Sequence, residues 1–355
     1  MNITLLKFRY AQLLVIFLLG VFLYIMSQSV PGDIDRFKTN LWNSHLLITS
    51  FTRLRLKLGD RVFSQVLVGK EGWLDFTKNH NLDGYQNAVQ IRPKEIESTQ
   101  SNLQKLYEEL RKRNITLLLI IPPNKATIYP DKLPDEIQKL HPHSKLDEFA
   151  AYIKQHGPPV LLDLRPALQD ARKRQNEYDV YYKTDTHWNS YGAFIAYREI
   201  MKALSKNYPQ LTPKNISDFN ITLSRPHPQD LAYIMGAIHL FEPDINFKLK
   251  KSSNVRWTVF NDDEIVPLQM ATTPNTNLPT LLMYMDSFGV RLKEFVAPHF
   301  KKTTFIFNAS SYRELVSLHT IDIIQPDIVI IEMVERSFNS DPNLDGLLKH
   351  ILSEK

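Results

Sequence analysis

Two short stretches of the chain carry side chains that together could perform nucleophilic acyl transfer. Residues 184–189 read TDTHWN and contain Asp185 and His187, and residues 285–288 read MDSF and contain Ser287. A serine hydroxyl is a weak nucleophile at neutral pH, so it needs a base within hydrogen-bond reach, and the base needs a third group that fixes its tautomer. Ser287 is therefore a candidate nucleophile, His187 a candidate base and Asp185 a candidate orienting acid.

The spacing of Asp185 and His187 suits that pairing. Residues two apart on an extended segment point to the same side, so the carboxylate can lie against the imidazole ring. A helix is predicted to follow, because residues 191–204 have helical apolar spacing and Asn189 or Ser190 can cap it. The pair is therefore expected where an extended segment turns into a helix.

Ser287 has a matching context. The apolar run at 281–285 is typical of a buried strand, and residues 288–295 are predicted to form a helix. Ser287 is then expected on a strand-to-helix turn at the carboxyl end of a strand, where open α/β sheets place their sites. Backbone N–H groups of such a turn can stabilise an oxyanion.

Other interpretations of these residues compete with the catalytic one. An Asp-Ser pair at a strand end is usually a turn or a helix cap. Asp185 and His187 could donate metal ligands, but no further histidine or carboxylate accompanies them at a typical spacing, so no metal site is predicted. Asp286 could replace Asp185 as the orienting acid, but its position beside Ser287 favours a role in shaping the turn.

Four further residues are candidates for binding a substrate. Lys125 and Tyr129 follow a predicted strand end, Trp188 adjoins the candidate base, and Arg336 follows the last predicted strand. The ends of these strands are where the site of an open α/β sheet lies. Arg336 could bind a polymer carboxylate or aid the oxyanion. The structural alternative is a solvated charge or a packed aromatic ring.

The apolar pattern of the globular part alternates between strands and helices. Strands are predicted at 115–121, 160–164, 281–285, 303–307 and 328–333, and helices at 96–112, 144–155, from 166, and at 191–204, 288–295, 312–324 and 344–352. This alternation predicts an α/β fold with a doubly wound, mostly parallel sheet. Residues 207–280 interrupt it, and we expect them to form an inserted β-rich lobe near the mouth of the site.

Residues 1–30 are predicted to form a membrane anchor. Lys7 and Arg9 precede an uncharged apolar run at 13–26, which approaches the length of a transmembrane helix. Positive charges before the run predict that the body of the protein lies on the outer side of the membrane. A cleaved signal peptide is the alternative, because residues 27–29 read SQS, a small-x-small cleavage pattern.

Two further segments follow the anchor. Residues 31–65 are predicted to be a helical stalk, and residues 66–355 the globular domain. A hydrophobic content of 43% with 23% charged residues is typical of a globular chain. The absence of cysteine excludes disulfide bonds. The net charge of +5 would help to attract an anionic polysaccharide, whereas no basic stripe with interleaved aromatic residues predicts nucleic-acid binding.

Residues 184–189, followed by Tyr191-Gly192, resemble the D-x-H-W signature of the alginate O-acetyltransferases of the AlgJ/AlgX group. Other stretches agree with this family in type and order: VGKEGWL at 68–74, IPPNK at 121–125 with YP at 129–130 and LP at 133–134, DLA at 230–232 with Gly236, and MDSF at 285–288. The acid and the histidine precede the serine, unlike in ordinary SGNH esterases. The resemblance spans residues 66 to 340.

The resemblance implies an SGNH-hydrolase-like O-acetyltransferase on the outer face of the cytoplasmic membrane that modifies a secreted or cell-surface polysaccharide. It implies Ser287 as nucleophile, His187 as base and Asp185 as orienting acid, without a cofactor. Because acetyl-CoA is cytoplasmic, it also implies a membrane partner of the MBOAT type that passes the acetyl group outward. A polysaccharide acetyl esterase with the same triad and a non-catalytic polysaccharide-binding or assembly subunit are the alternatives.

Overall fold

The computed structural model of the chain describes residues 16–21, 24, 45–174, 178–224, 229–237, 244–249, 254–259, 268–307, 315–340 and 343–353. Its strands are β1 (Val66–Val68), β2 (Leu74–Phe76), β3 (Thr116–Ile120), β4 (Leu161–Leu162), β5 (Phe219–Ser224), β6 (Asp244–Leu249), β7 (Arg256–Val259), β8 (Leu268–Thr272), β9 (Thr280–Met285), β10 (Lys302–Phe307) and β11 (Ile328–Glu332). Seven of them form one sheet in the order β4-β3-β11-β9-β10-β8-β7.

The first five strands in that order are parallel, and β8 and β7 extend the sheet with antiparallel pairs. The central strands β3, β9 and β11 are apolar except at one end, which suits a sheet that is buried on both faces. Leu118 and Ile120 of β3 pack into one hydrophobic cluster, and Leu117 and Leu119 pack into another. The predicted mostly parallel α/β sheet is therefore confirmed.

The helices are α1 (His45–Lys57), α2 (Asn81–Tyr85), α3 (Pro93–Lys112), α4 (Lys125–Ile128), α5 (Lys145–His156), α6 (Arg165–Lys173), α7 (Ser190–Leu204), α8 (Asp230–Ile234), α9 (Gly289–Val296), α10 (Leu318–Ile324), α11 (Glu335–Asn339) and α12 (Leu344–Ser353). Helices α6, α7 and α9 contribute to the cluster on one face, and α3, α5, α10 and α12 to the cluster on the other. Two covered faces make the sheet doubly wound, as predicted.

Two segments differ from the expectation. The helix predicted at 312–324 begins only at Leu318, because the Ser317 hydroxyl caps it by accepting from the N–H of Thr320 at 3.2 Å; residues 312–314 lie outside the described part. The segment 207–280, expected as an inserted lobe, contains the separate antiparallel pair β5–β6 but also supplies β7 and β8 to the main sheet.

The predicted anchor at 1–30 lies mostly outside the described residues. No helix in the described part of the chain has both the length and the apolar character needed to cross a membrane. The described part of the predicted stalk is 45–65, and α1 at its start docks on the domain. The hydroxyls of Thr49 and Thr52 donate to the carbonyls of Gly236 and Met235, each at 2.6 Å.

Candidate active site

Ser287 lies on a tight turn between β9 and α9. The carboxylate of Asp286 accepts from the N–H of Phe288 at 2.8 Å, and the carbonyl of Asp286 accepts from the N–H of Gly289 at 3.1 Å. A Cβ atom on residue 289 would lie 2.6 Å from the Cβ of Met285 and 3.0 Å from a carboxyl oxygen of Glu332, so only glycine fits without a rearrangement. The turn follows the predicted strand and leaves Ser287 partly exposed.

His187 lies on a loop whose two ends are hydrogen-bonded to each other, and its side chain extends toward the Ser287 turn. Tyr181 and Trp188 form an isolated antiparallel bridge, and the N–H of Tyr182 donates to the carbonyl of His187 at 3.2 Å. The side chain of Asn189 then caps α7 by accepting from the backbone N–H groups of the helix at 2.9 and 3.0 Å. Of the two caps that the sequence offered, the structure uses Asn189.

The three predicted catalytic side chains meet in one hydrogen-bonded chain. The Nε2 atom of His187 lies 2.8 Å from the Oγ atom of Ser287, and its Nδ1 atom lies 2.6 Å from Oδ1 of Asp185. The backbone N–H of His187 also donates to that carboxylate oxygen at 3.0 Å. Because Nδ1 faces a carboxylate, it carries the ring proton, which leaves Nε2 to accept from the serine hydroxyl.

The carboxylate of Asp185 is buried, with 4% of the residue exposed. Burial alone would raise its pKa, but the hydrogen bond and the charge of His187, together with backbone donors, lower the pKa below the ordinary value. Asp185 is therefore ionised at neutral pH, as an orienting acid must be. This arrangement can activate a hydroxyl for attack on an ester carbonyl.

Asp230 is a second carboxylate at this site, and its role was missed at the level of the sequence. It is the first residue of α8, and its Oδ2 atom lies 3.7 Å from Nδ1 of His187. Burial, and then the charge of Asp185, raise its pKa above the ordinary value. The only signal in the sequence was the DLA stretch at 230–232, which carried no assigned chemistry.

Asp185, His187 and Asp230 offer ligand atoms that all lie within 4.8 Å of one another. The spacing along the chain gave no such third group, because the fold brings Asp230 in from a distant segment. The carboxylate oxygens already accept hydrogen bonds from the backbone N–H groups of Thr186, His187 and Asp230 and from the Thr186 hydroxyl. These bonds favour proton transfer over metal binding as the chemistry of the cluster.

Asp286 does not act on the imidazole. Besides the N–H of Phe288, its carboxylate accepts from the N–H of Val334 at 2.8 Å, so it ties the nucleophile turn to the segment after β11. This agrees with the prediction that it shapes the turn. The last residue of β11, Glu332, lies beneath it and is fully buried.

Three of the four predicted substrate-binding residues, Lys125, Tyr129 and Trp188, lie in the interior of the protein. Lys125 is 3% exposed, and its ammonium group donates to the carbonyls of Tyr182, Lys183 and Asp185 at 3.2, 3.3 and 2.8 Å. Since these carbonyls belong to the loop that carries Asp185 and His187, Lys125 fixes the loop from behind.

Tyr129 and Trp188 are the other two buried members of that set. The Tyr129 hydroxyl accepts from the N–H of Val180 at 2.8 Å, and its ring stacks on Trp73 with the centroids 4.3 Å apart. The indole N–H of Trp188 donates to the carbonyl of Phe288 at 3.1 Å. Trp188 thus joins the histidine loop to the serine turn.

Arg336 is the one predicted substrate-binding residue that remains partly exposed beside the site. Its guanidinium carbon lies 5.2 Å from the ring centroid of Phe288, the residue that follows Ser287, and 6.0 Å from that of Phe76. Within the described ranges, no carboxylate pairs with it. A half-exposed cation without an ion-pair partner is suited to an anionic ligand.

Comparison with known proteins adds a family. A model described as "SGNH hydrolase-like domain, acetyltransferase AlgX" matches residues 66–250, which include Asp185, His187 and Asp230. A protein of Pseudomonas fluorescens described as "Probable alginate O-acetylase AlgJ" is 26% identical over 210 residues, which are 59% of this chain and 48% of that protein. The chain spans about half the length of the curated relatives it matches.

Solved structures show the same fold at lower identity. PatB1 of Bacillus cereus, determined with a sulfonyl adduct, is 20% identical with a TM-score of 0.59, and the match covers 79% of this chain and 99% of that one. A DHHW family protein from Eubacterium siraeum is 16% identical with a TM-score of 0.56, over 82% of this chain and 98% of that one. At these identities the likeness is one of fold.

Proposed function

Because the chain belongs to the AlgJ/AlgX family of SGNH hydrolase-like acetyltransferases, we propose that it is a polysaccharide O-acetyltransferase that carries the acetyl group as an ester on Ser287. The observation that supports this most directly is the continuous chain from Ser287 Oγ through His187 to Asp185, with contacts of 2.8 and 2.6 Å. It is the arrangement that an activated serine nucleophile requires.

The reaction has two halves that use the same histidine. In the first, Oγ of Ser287 attacks the acetyl carbonyl, and Nε2 of His187 takes the hydroxyl proton and gives it to the departing group of the donor. In the second, Nε2 takes the proton of a sugar hydroxyl, which attacks the acetyl-serine ester. The proton then returns to Oγ as the ester bond to Ser287 breaks. Asp185 stabilises the imidazolium in both halves.

Few backbone donors of the nucleophile turn are available to the oxyanion. The N–H groups of Asp286, Phe288 and Gly289 are bonded to Glu332, to the Asp286 side chain and to the Asp286 carbonyl. The N–H of Ser287 has no acceptor in the part of the chain that the structure describes, so it is the backbone donor we assign to the oxyanion. Arg336 supplies positive charge beside the same turn and is the residue we assign to a carboxylate of the acceptor.

The location and partners of the protein are part of the proposal. Lys7 and Arg9 before the apolar run at 13–26 support an N-terminal anchor with the catalytic domain on the outer side of the cytoplasmic membrane. Acetyl-CoA does not reach that side, so the acetyl donor is a membrane protein of the MBOAT type. The acceptor is a secreted or cell-surface polysaccharide, and the anionic class represented by alginate fits the net charge of +5.

The proposal is tested with the full chain in detergent and a chromogenic acetyl ester as surrogate donor. Acetate and acetylated sugar are measured with and without uronate oligosaccharides, for the native chain and for Ser287→Ala and His187→Ala. Ser101→Ala, an exposed serine on α3, is the matched control. We expect acetyl on the sugar in the native chain and in the control, and a loss of about a thousandfold or more in the two site variants.

Two results would replace the proposal by its alternatives. Release of acetate that depends on Ser287 but never yields acetylated sugar, even with concentrated acceptor, indicates an esterase. The absence of an acetyl adduct on Ser287, with the donor ester and with a membrane donor protein added, indicates a non-catalytic binding or assembly subunit.

A further inference from the structure

We infer that Asp230 is a positioning residue of the triad, which clamps the loop that carries Asp185 and His187 and places a second carboxylate beside the ring proton of His187. The inference rests on the proposed acyl-serine chemistry at Ser287. It assigns a role to the DLA stretch at 230–232, which the proposed mechanism does not otherwise use.

Two hydrogen bonds join Thr186 to the carboxylate of Asp230. The N–H of Thr186 donates to Oδ1 of Asp230 at 2.7 Å, and the hydroxyl of Thr186 donates to Oδ2. The same hydroxyl oxygen lies 3.2 Å from Nδ1 of His187. Because the hydroxyl proton points to Asp230, a lone pair of the oxygen is free to face the ring N–H. Asp230 therefore orients a residue that touches the imidazole.

The clamp also acts on Asp185. The backbone N–H of Asp230 donates to Oδ2 of Asp185 at 3.1 Å, and the N–H of Ala232 donates to the carbonyl of Thr184 at 3.2 Å. With Oδ2 held by α8, the other oxygen of Asp185 is directed at Nδ1 of His187. A carboxylate restrained at both oxygens cannot rotate away from the ring, which is the requirement for keeping one tautomer.

The charged groups that face the His187 ring are mainly negative. Asp185 faces its Nδ1 atom at 2.6 Å and Asp230 at 3.7 Å, whereas Ser287 faces Nε2. Two cations near the site point elsewhere, since Lys125 binds the carbonyl of Asp185 and Arg336 lies over the Phe288 ring. Asp286 directs its carboxylate to the backbone of the turn. The imidazolium that forms when Ser287 loses its proton is thus faced by two carboxylates.

The test is the pH dependence of serine acylation in the full chain, for the native chain and Asp230→Asn. A sulfonyl fluoride is the probe, because its reaction with Ser287 needs neither acceptor nor membrane partner, and the modified residue is identified by mass. Loss of a negative charge near the imidazolium disfavours the protonated ring, so the acid limb of the rate profile should move to lower pH by about half to one unit. The rate at the plateau should fall about tenfold.

Two variants separate positioning from general stability. Asp230→Glu keeps the charge, so its acid limb should return to within a few tenths of a unit of the native position. Asp345→Asn is the matched control, since Asp345 is another hydrogen-bonded carboxylate, which accepts from Ser98 and Asn102 at 3.0 and 2.8 Å and lies on α12. Asp345→Asn should lower the melting temperature and leave the acid limb of the rate profile at the native pH.

The inference is overturned if Asp230→Asn loses activity in proportion to its melting temperature while its acid limb coincides with that of the native chain. If Asp230→Asn does not fold, the test uses Asp230→Glu alone. An acid limb of that variant displaced by about a full pH unit from the native position would also overturn the inference. Failure of the proposed function is a separate result, because the native chain itself would then show no labelling at Ser287.

Discussion

Glu332 accepts a hydrogen bond from the backbone N–H of Asp286 at 2.7 Å, so a carboxyl group lies beneath the turn that carries Ser287. The side chain lies at the end of β11, next to β9, and is fully buried. Burial, and then the charge of Asp286, raise the pKa of Glu332 well above its ordinary value. Burial thus favours the neutral form of Glu332, which can lie beside Asp286 without mutual repulsion.

Glu332→Gln should make the protein relatively more stable as the pH rises. A carboxyl whose pKa is raised by folding stabilises most below its unfolded value of 4.5, and this contribution is lost as the pH rises toward the folded value. Glutamine has a similar shape but does not titrate. The free energy of unfolding of the variant, relative to that of the native chain, should therefore rise by up to about 1.4 kcal/mol per pH unit in that window. Urea unfolding at pH 5 and pH 8 measures it.

The matched control for this prediction is Glu294→Gln, at an exposed position of α9. Its difference from the native chain should be the same at both pH values. If the stability difference between Glu332→Gln and the native chain is also the same at pH 5 and pH 8, folding does not raise the pKa of Glu332. A neutral carboxyl group beneath the turn would then be excluded.

Lys125→Met should loosen the loop that carries Asp185 and His187. The variant removes three hydrogen bonds from an ammonium group to carbonyls. It also removes the positive charge that stabilises the ionised form of Asp75, whose pKa is raised by burial to about 6. We expect a loss of about 3 kcal/mol or more in the free energy of unfolding, because bonds to charged groups are the stronger ones. Urea midpoints and kcat for the acetyl ester give the measurement.

Lys105→Met, an exposed lysine on α3, is the control for that change and should behave as the native chain does. Because Lys125 is buried, its loss should lower kcat with little effect on KM. A rise in KM at unchanged kcat and unchanged stability would instead restore Lys125 to the wall of the cleft.

Removal of divalent metals should leave the activity unchanged. Each carboxylate oxygen of Asp185 and Asp230 already accepts at least one hydrogen bond, and Nδ1 of His187 is bonded to Asp185. Dialysis against EDTA should therefore change kcat/KM by less than about twofold, since no ligand set is left open for catalytic zinc. Inactivation that zinc alone reverses would show that these three residues bind metal.

Arg336→Gln should weaken the use of anionic acceptors. Its guanidinium is half-exposed over Phe288, where a uronate carboxylate entering toward Ser287 could pair with it in a bidentate manner. We expect kcat/KM for a uronate oligosaccharide to fall about tenfold and to lose part of its salt dependence, with a neutral oligosaccharide little affected. Arg111→Gln, at an exposed site on α3, should change neither. An equal loss with both acceptors would place Arg336 at the oxyanion instead.

Apolar runs and strand ends are local signals, and they were sufficient to predict the parallel part of the sheet, although not the addition of β7 and β8. The meeting of Ser287, His187 and Asp185 was predicted from the chemistry of their side chains, their places at the ends of predicted elements and the family resemblance. The contact of Asp230 with His187 could not be predicted, since a helix of five residues is too short to show a periodicity that would place it. Glu332 had a weak signal, as a carboxylate that ends an otherwise apolar strand. The burial of Lys125 had none, because its partners are backbone carbonyls, which every residue offers.

The docking of α1 on α8 bears on where a soluble fragment of this protein can be cut. The hydroxyls of Thr49 and Thr52 hold the carbonyls at one end of α8, and the residue at the other end holds Asp185. The five-residue helix α8 thus connects α1 to Asp185, the proposed orienting acid. A fragment that starts after residue 57 lacks the contacts of Thr49 and Thr52 with the end of α8. Asp185 would then be held less firmly, even though Ser287, His187 and Asp185 are all still present. A working fragment has to begin ahead of residue 45.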